Sequence, residues 1–223
     1  MTIPPGAIFF GIDRSDQYRN EVTQKGYEFL AADITSPEFV WPTADYYLAW
    51  NFLEHLPDRK WSKKVVIQMC RHATAGVWLR LPSFEQDSVT GEAALKKHGL
   101  RFAWSHWHGH PSHFLVEDAL EALNDGLKDA QWNHRLEQRE LIHDSNHPDV
   151  VPIGAPIDTV KYDPILGVRP EVRFVPPVVG QWDIIVSIQR KAAGPAVSES
   201  DTQKASGDDL PPHTAPVSGE EVQ

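Results

Sequence analysis

The chain lacks four things, and each lack narrows what it can be. No apolar run approaches the roughly 20 residues that a membrane-spanning helix needs, and the segment Met1 to Gly6 has two prolines but no basic residue, unlike the start of a secretory leader. A single cysteine, Cys70, rules out an internal disulfide and fits a reducing compartment, so a cytoplasmic location is expected. Cys70 itself suits a small apolar filler on a helix. Positive charge is scarce: 21 basic residues against 31 acidic ones give a formal net charge of -10. A nucleic-acid duplex is thereby disfavoured as a generic partner, although a local basic groove stays compatible. Finally, no glycine-rich loop precedes the first apolar segment, and no internal repeat is visible.

What is present is an alternation of short apolar runs and helical patterns over much of 223 residues and 25.1 kDa. Residues 7–13 read as a strand, because Ile8, Phe9, Phe10 and Ile12 are strong strand formers after a Pro-Pro-Gly turn. Residues 15–25 read as a polar helix closed by Gly26. A second strand, 27–33, runs into a proline-containing loop through Pro42, and 44–51 forms the third. Val65, Val66, Met69 and Ala73 put one apolar stripe on a helix over 60–74, with Gly76 as its stop. Strand 77–81 ends at Pro82, 92–98 is a short helix before Gly99, 100–107 is a fifth strand, and 111–126 has a helical face. Prolines at 148, 152, 156, 164, 170, 176 and 177 break the stretch 127–180 into loops and short extended pieces. The last strand is 181–189.

This pattern predicts an α/β, Rossmann-like, doubly wound and mostly parallel sheet over residues 1–190, with 112–180 as an acceptor-side insertion. From Lys191 onward the chain is rich in Pro, Ser, Gly and acids. Residues 191–223 are therefore expected to be a disordered acidic tail. Eight tryptophans are many for this length, and most should lie in the core or against a flat ligand.

Three apolar runs close on an acid or amide: Phe10-Gly11-Ile12-Asp13, Phe29-Leu30-Ala31-Ala32-Asp33, and Ala44 through Trp50-Asn51. Ligands of open α/β sheets bind beyond the carboxyl ends of parallel strands, so these ends mark a candidate pocket. With Val77 to Pro82 and the phrase Asn51-Phe52-Leu53-Glu54-His55-Leu56-Pro57-Asp58, the runs resemble successive motifs of class I S-adenosylmethionine-dependent methyltransferases. The resemblance covers residues 6–110, and strand 181–189 also fits. It implies S-adenosyl-L-methionine as cofactor. Asp13 would accept from both ribose hydroxyls, Asp33 would take the adenine amino group, and Ile34 would pack on the ring. Trp50 and Asn51 would lie beneath the methionine moiety. Glu54 and His55 would either fix the turn, or His55 would act as general base.

Some related O-methyltransferases bind a divalent metal through Glu-x-x-Glu-His. The first acid is here Asn51, and no metal is expected, since a hard cation wants more oxygen ligands. The family's opening strand and Gly-x-Gly loop have no counterpart before Ala7, so the resemblance further implies a sheet without its first, central strand, in a polypeptide that is truncated or inactive. Thr2 to Gly6 resembles the short link that follows that loop.

A second patch, Ser105-His106-Trp107-His108-Gly109-His110-Pro111-Ser112-His113, puts histidines at alternate positions. On a strand, 106, 108 and 110 would face one side and could meet at a metal, as in a metallo-β-lactamase-like hydrolase. Within the methyltransferase resemblance, Trp107, His108 and His110 would instead contact the acceptor. The expected function is methyl transfer by direct displacement. The acceptor is unknown, with a small molecule favoured, no membrane partner, and no reading of the oligomeric state. A non-catalytic binding remnant of the fold is the alternative.

Overall fold

The computed structural model describes residues 7–156 and 170–190. The Thr2–Gly6 link, residues 157–169 of the proposed insertion and the expected 191–223 tail lie outside the described residues.

Strand β1 (Phe10–Asp13) leads through a 3-10 turn into the short helix α1 (Arg19–Gln24), then β2 (Glu28–Ala31). β1 and β2 pair in parallel, with Gly11 opposite Phe29 and Asp13 opposite Ala31. After a loop come β3 (Ala44–Trp50) and the 3-10 turn Leu53–His55, and then α2 (Arg59–His72) passes directly into β4 (Ala73–Pro82). Asp58 caps α2 by accepting from the Trp61 amide at 2.8 Å. Gly76, expected to end this helix, lies inside β4 instead. There a Cβ would stand 2.5 Å from the Val186 carbonyl oxygen, so the glycine permits close strand pairing.

Helices α3 (Glu92–Lys96) and α4 (Val116–Gly126) alternate with β5 (Leu100–Phe102), and the chain continues through β6 (Gln131–Asp144), β7 (Val150–Pro152) and β8 (Arg173–Gln189). The main sheet has the order β3-β4-β8-β6, with β3 and β4 parallel and β8 antiparallel to both neighbours. β5 and β7 form an antiparallel pair.

The α/β class thus stands, but the mostly parallel single sheet does not: the described strands form three sheets, and three of their five pairings are antiparallel. The difference arises in 127–180, where a loop region was expected and β6 runs for 14 residues along β8. β8 itself starts at Arg173 rather than 181. β6 is an end strand whose residues are mostly exposed, so it needs no apolar alternation.

One face of the main sheet carries Ala49, Val77, Leu79, Leu81, Ile184 and Val186, packed beneath α2 and α4. The two helices meet closely at Gly126, where a Cβ would come within 2.6 Å of the Cys70 Cβ. Burial holds the Cys70 thiol up at about 12, which suits a structural filler and not a nucleophile. A second core, with Leu95, Leu100, Phe102, Ile142 and Val178, lies under β5 and β7. On β3, Tyr46, Leu48 and Trp50 remain 44–48% exposed, and among the described residues β3 is an end strand. No described helix is long and apolar enough to cross a membrane.

Candidate functional site

The turn after β3 begins with a backbone irregularity. Asn51 has φ 47°, in the left-handed region that an asparagine tolerates better than most side chains. Its amide donates to the Arg80 carbonyl at 3.0 Å, so β4 holds the residue in place. Leu53, fully buried in the main core, then anchors the 3-10 turn and brings Glu54 inward, to 1% exposure. Ser62 of α2 donates its hydroxyl to the Leu53 carbonyl at 2.8 Å and lies 2.7 Å from the Ser112 hydroxyl. The Ser112 amide in turn donates to the Glu54 carbonyl at 3.1 Å. The turn 53–55 and the histidine-rich segment are therefore tied together by buried hydrogen bonds.

That segment is not a strand beyond Phe102. Bonds from the amides of Ser105, Trp107 and His110 to the carbonyls of Phe102, Trp104 and Trp107 close successive turns. The alternation that would have aligned His106, His108 and His110 is lost. His106 and His108 are exposed, and only His110 is buried.

His110 turns inward to meet His55, with ring centroids 4.8 Å apart. His55 Nδ1 is 2.8 Å from the Gly109 carbonyl oxygen, and His110 Nδ1 is 3.1 Å from that of Trp104. A carbonyl only accepts, so each Nδ1 carries a proton. Trp107 packs edge-on against both rings, at 5.8 Å and 4.7 Å. His113 stacks on Phe84 at 4.5 Å.

The electrostatics follow from burial. Desolvation pushes the Glu54 carboxyl up to about 7, and its Oε2 has no hydrogen-bond partner. Desolvation, helped by the neighbouring His55, pulls His110 down to about 4, so its imidazole is neutral at physiological pH. Glu54, His55 and His110 each offer a ligating atom within 4.8 Å of the others. Such a group can accept a proton from a bound molecule or hold a cation.

The expected cofactor residues stand at the ends of β1, β2 and β3. Asp13 Oδ1 accepts from the Ser15 amide at 2.7 Å, while Asp33 Oδ1 accepts from the Thr35 amide and hydroxyl at 2.8 and 2.6 Å. Hydrogen bonds from the Thr35 hydroxyl and amide hold the Asp33 carboxyl below its ordinary value. Each acid thus commits Oδ1 to its own turn. Ile34, expected against an adenine ring, packs on the edge of the main core. Trp50 lies edge-on to Trp78 at 4.9 Å, with the Arg80 guanidinium 5.2 Å from its ring centroid. Trp107, His110 and His55 come together as one group, and His108 stays outside it on an exposed turn.

Sequence reasoning weighed Glu54 only as a residue that fixes the turn or as the one carboxylate of an incomplete Glu-x-x-Glu-His motif. Its burial was signalled by its place beside Leu53, which faces the core. Ser62 and Ser112 left no sign at all, because their pairing joins residues 50 positions apart.

No family model matches this chain, and no curated protein does. Solved structures of S-adenosylmethionine-dependent methyltransferases do. A magnesium protoporphyrin IX methyltransferase from Synechocystis PCC 6803 with bound SAH is 14% identical, with a TM-score of 0.47 over 82% of this chain. This chain spans only 65% of that protein's length. A SAM-dependent methyltransferase from Methanosarcina mazei is 14% identical with a TM-score of 0.43, covering 81% of both chains. Another from Archaeoglobus fulgidus is 12% identical with a TM-score of 0.46, covering 80% of this chain and 75% of its own.

Proposed function

We propose that the chain binds S-adenosylmethionine and transfers its methyl group to a small acceptor. The observation that carries this reading is that Asp13, Asp33 and Asn51 each lie at or just beyond the carboxyl end of a strand, β1, β2 and β3, that pairs in parallel with a neighbour. One acceptor-only oxygen on each acid, Oδ2, faces no competing bond within its turn, which suits a ribose diol and an adenine amino group. Asn51, held in the left-handed region with its backbone amide bonded to Arg80, would offer its side-chain carboxamide to the methionine end. The acceptor approaches over Trp107, His108 and His110. Its nucleophile forms a bond to the methyl carbon as the methyl–sulfur bond breaks and the thioether leaves. The acceptor's proton passes to the His55 Nε2 lone pair. Most of the rate enhancement comes from alignment, since the sulfonium is already activated.

Calorimetry with S-adenosylhomocysteine tests this on the full chain. The expected result is binding in the micromolar range that Asp13→Ala abolishes, followed by methyl transfer to an acceptor found by screening with S-adenosylmethionine. Failure to bind either nucleoside contradicts the proposal. The second reading, a binding remnant without catalysis, draws on the fact that no described residue before Ala49 is buried. Nucleoside binding that survives Asp13→Ala, or binding with no turnover on any acceptor, favours it.

A further inference from the structure

Arg101 is a buried cation with no part in the proposed methyl transfer. It stands at the centre of β5, between Leu100 and Phe102, whose side chains enter the second core. Strand alternation turns Arg101 to the opposite face. There the segment after β7 covers it, tied down by the Ile153 amide on the Gly99 carbonyl at 2.8 Å, and Arg101 is only 3% exposed. Nη1 donates to the Phe102 and Ala103 carbonyls at 2.9 and 3.3 Å, and Nη2 to those of Ala155 and Pro156 at 3.2 and 3.1 Å. All four acceptors are neutral. Among the described residues Arg101 makes no ion pair, and its Nε–H has no acceptor. Desolvation pulls the guanidinium below its ordinary pKa, opposed by the charge of Glu92. An arginine nevertheless stays protonated, and a buried charge without a counter-charge is costly.

A cavity of about 260 Å³ opens beside it, lined by Lys96, Arg101, His106, Ile153 and Ala155. Lys96, at the end of α3, commits two of its three N–H groups to Glu92 Oε2 at 3.1 Å and Gln86 Oε1 at 3.0 Å, and keeps one. Burial acts to raise the Glu92 carboxyl, but its bonds, those from Gln86 and Lys96 among them, hold it below its ordinary value and ionised. Arg101 and Lys96 thus bring two positive charges against one negative charge, and a surplus of one positive charge remains. His106 adds an exposed imidazole, while Ile153 and Ala155 supply an apolar side. We propose that this cavity is a binding site for a small carboxylate with a short apolar body. The carboxylate accepts from Arg101 Nε–H, Lys96 Nζ and the His106 ring, and its body lies on Ile153 and Ala155. One negative charge matches the surplus and relieves the unpaired guanidinium. A phosphate monoester, at about -1.5 to -2 near neutral pH, exceeds it. The site does not depend on nucleoside binding at Asp13 and Asp33.

The test is a titration of the isotope-labelled full chain with butyrate and with benzoate, followed by amide NMR, with butyramide as the uncharged control. Either carboxylate should give saturable shifts at Lys96, Arg101, His106, Ile153 and Ala155, and butyramide none. Arg101 also holds four carbonyls, so its substitution would disturb the fold. Lys96→Gln decides instead, because that side chain is 42% exposed. It should weaken carboxylate binding about tenfold while leaving amide shifts elsewhere unchanged. Arg173→Gln, in a separate cavity with His143 and Asp144, should bind as the wild type does. Absence of shifts with both carboxylates overturns the proposal. So do equal shifts with butyramide, undiminished binding by Lys96→Gln, binding lost in Arg173→Gln, or tighter binding of inorganic phosphate than of either carboxylate. S-adenosylhomocysteine is titrated into the same samples. Carboxylate binding without nucleoside binding would overturn the cofactor reading alone, and nucleoside binding without carboxylate binding this site alone.

Discussion

Residues 7–43 and the body that follows them carry the two halves of the candidate site in different ways. In the first region no residue is buried, and its two strands make a four-residue parallel ribbon against one short helix. In the body, Leu53, Val66, Leu79, Leu123 and Ile184 are fully buried in the main core, the Glu54 carbonyl accepts from the Ser112 amide, and the His110 ring is bonded to the Trp104 carbonyl. A two-stranded ribbon is marginal by itself. The half with Glu54 and His110 is therefore preorganised, whereas the half with Asp13 and Asp33 has little packing to hold it and, on the proposed function, stands to gain order from a ligand.

Substitutions sharpen this contrast, beginning with the largest effect. Leu79→Ala removes a fully buried side chain from the main core and should cost about 2–5 kcal/mol in a denaturant melt, whereas Phe10→Ala, 45% exposed in the ribbon, should cost less than about 1 kcal/mol. Equal losses would erase the distinction between the regions.

Asp183 gives the next effect. It is fully buried on β8, bonded by Arg80 at 2.7 and 2.9 Å and by Arg139 at 2.9 Å. Burial would raise its carboxyl, but the hydrogen bonds from Arg80 and Arg139 outweigh that and hold it below its ordinary value. Asp183→Asn should destabilise the body by about 3 kcal/mol, the lower end for a broken buried pair because Arg139 is partly exposed. The pH dependence has a definite sign. A folded-state value below the unfolded one means the stabilisation is complete above the ordinary carboxylate range. It is then lost as pH falls through the lower folded value. Wild-type stability should accordingly drop more steeply in acid than that of Asp183→Asn, and parallel curves would refute the linkage.

Smaller still is the cap of α2: Asp58→Ala leaves the Trp61 amide without its acceptor and should cost about 1 kcal/mol. Ile8→Ser, at a position 80% exposed before β1, should stay within about 0.5 kcal/mol.

The strands that end in site residues were legible because each is a short apolar run stopped by a polar residue, as in Phe10–Asp13 and Ala44–Trp50. Helix α2 was legible from one stripe, Val65, Val66 and Met69, which is the face it buries. β6 was not, since an end strand such as Gln131–Asp144 can be polar on both faces. The first part of β8 was hidden by Pro176 and Pro177, which read as loop although Val178 and Val179 behind them are buried. The candidate site divides the same way. Asp13, Asp33 and Asn51 follow from local order along the chain. The meeting of Glu54 and His55 with His110 depends on turns at 102–110 and on the Ser62–Ser112 contact, which no local pattern announces.

The most direct test of the account is amide hydrogen exchange on the full chain with and without saturating S-adenosylhomocysteine. Fast exchange is expected in residues 7–43 without ligand, with clear protection of the Asp13 and Asp33 segments when it is bound, while β4 and α2 are slow in both states. Exchange in those two segments that is unchanged by the ligand would contradict the account.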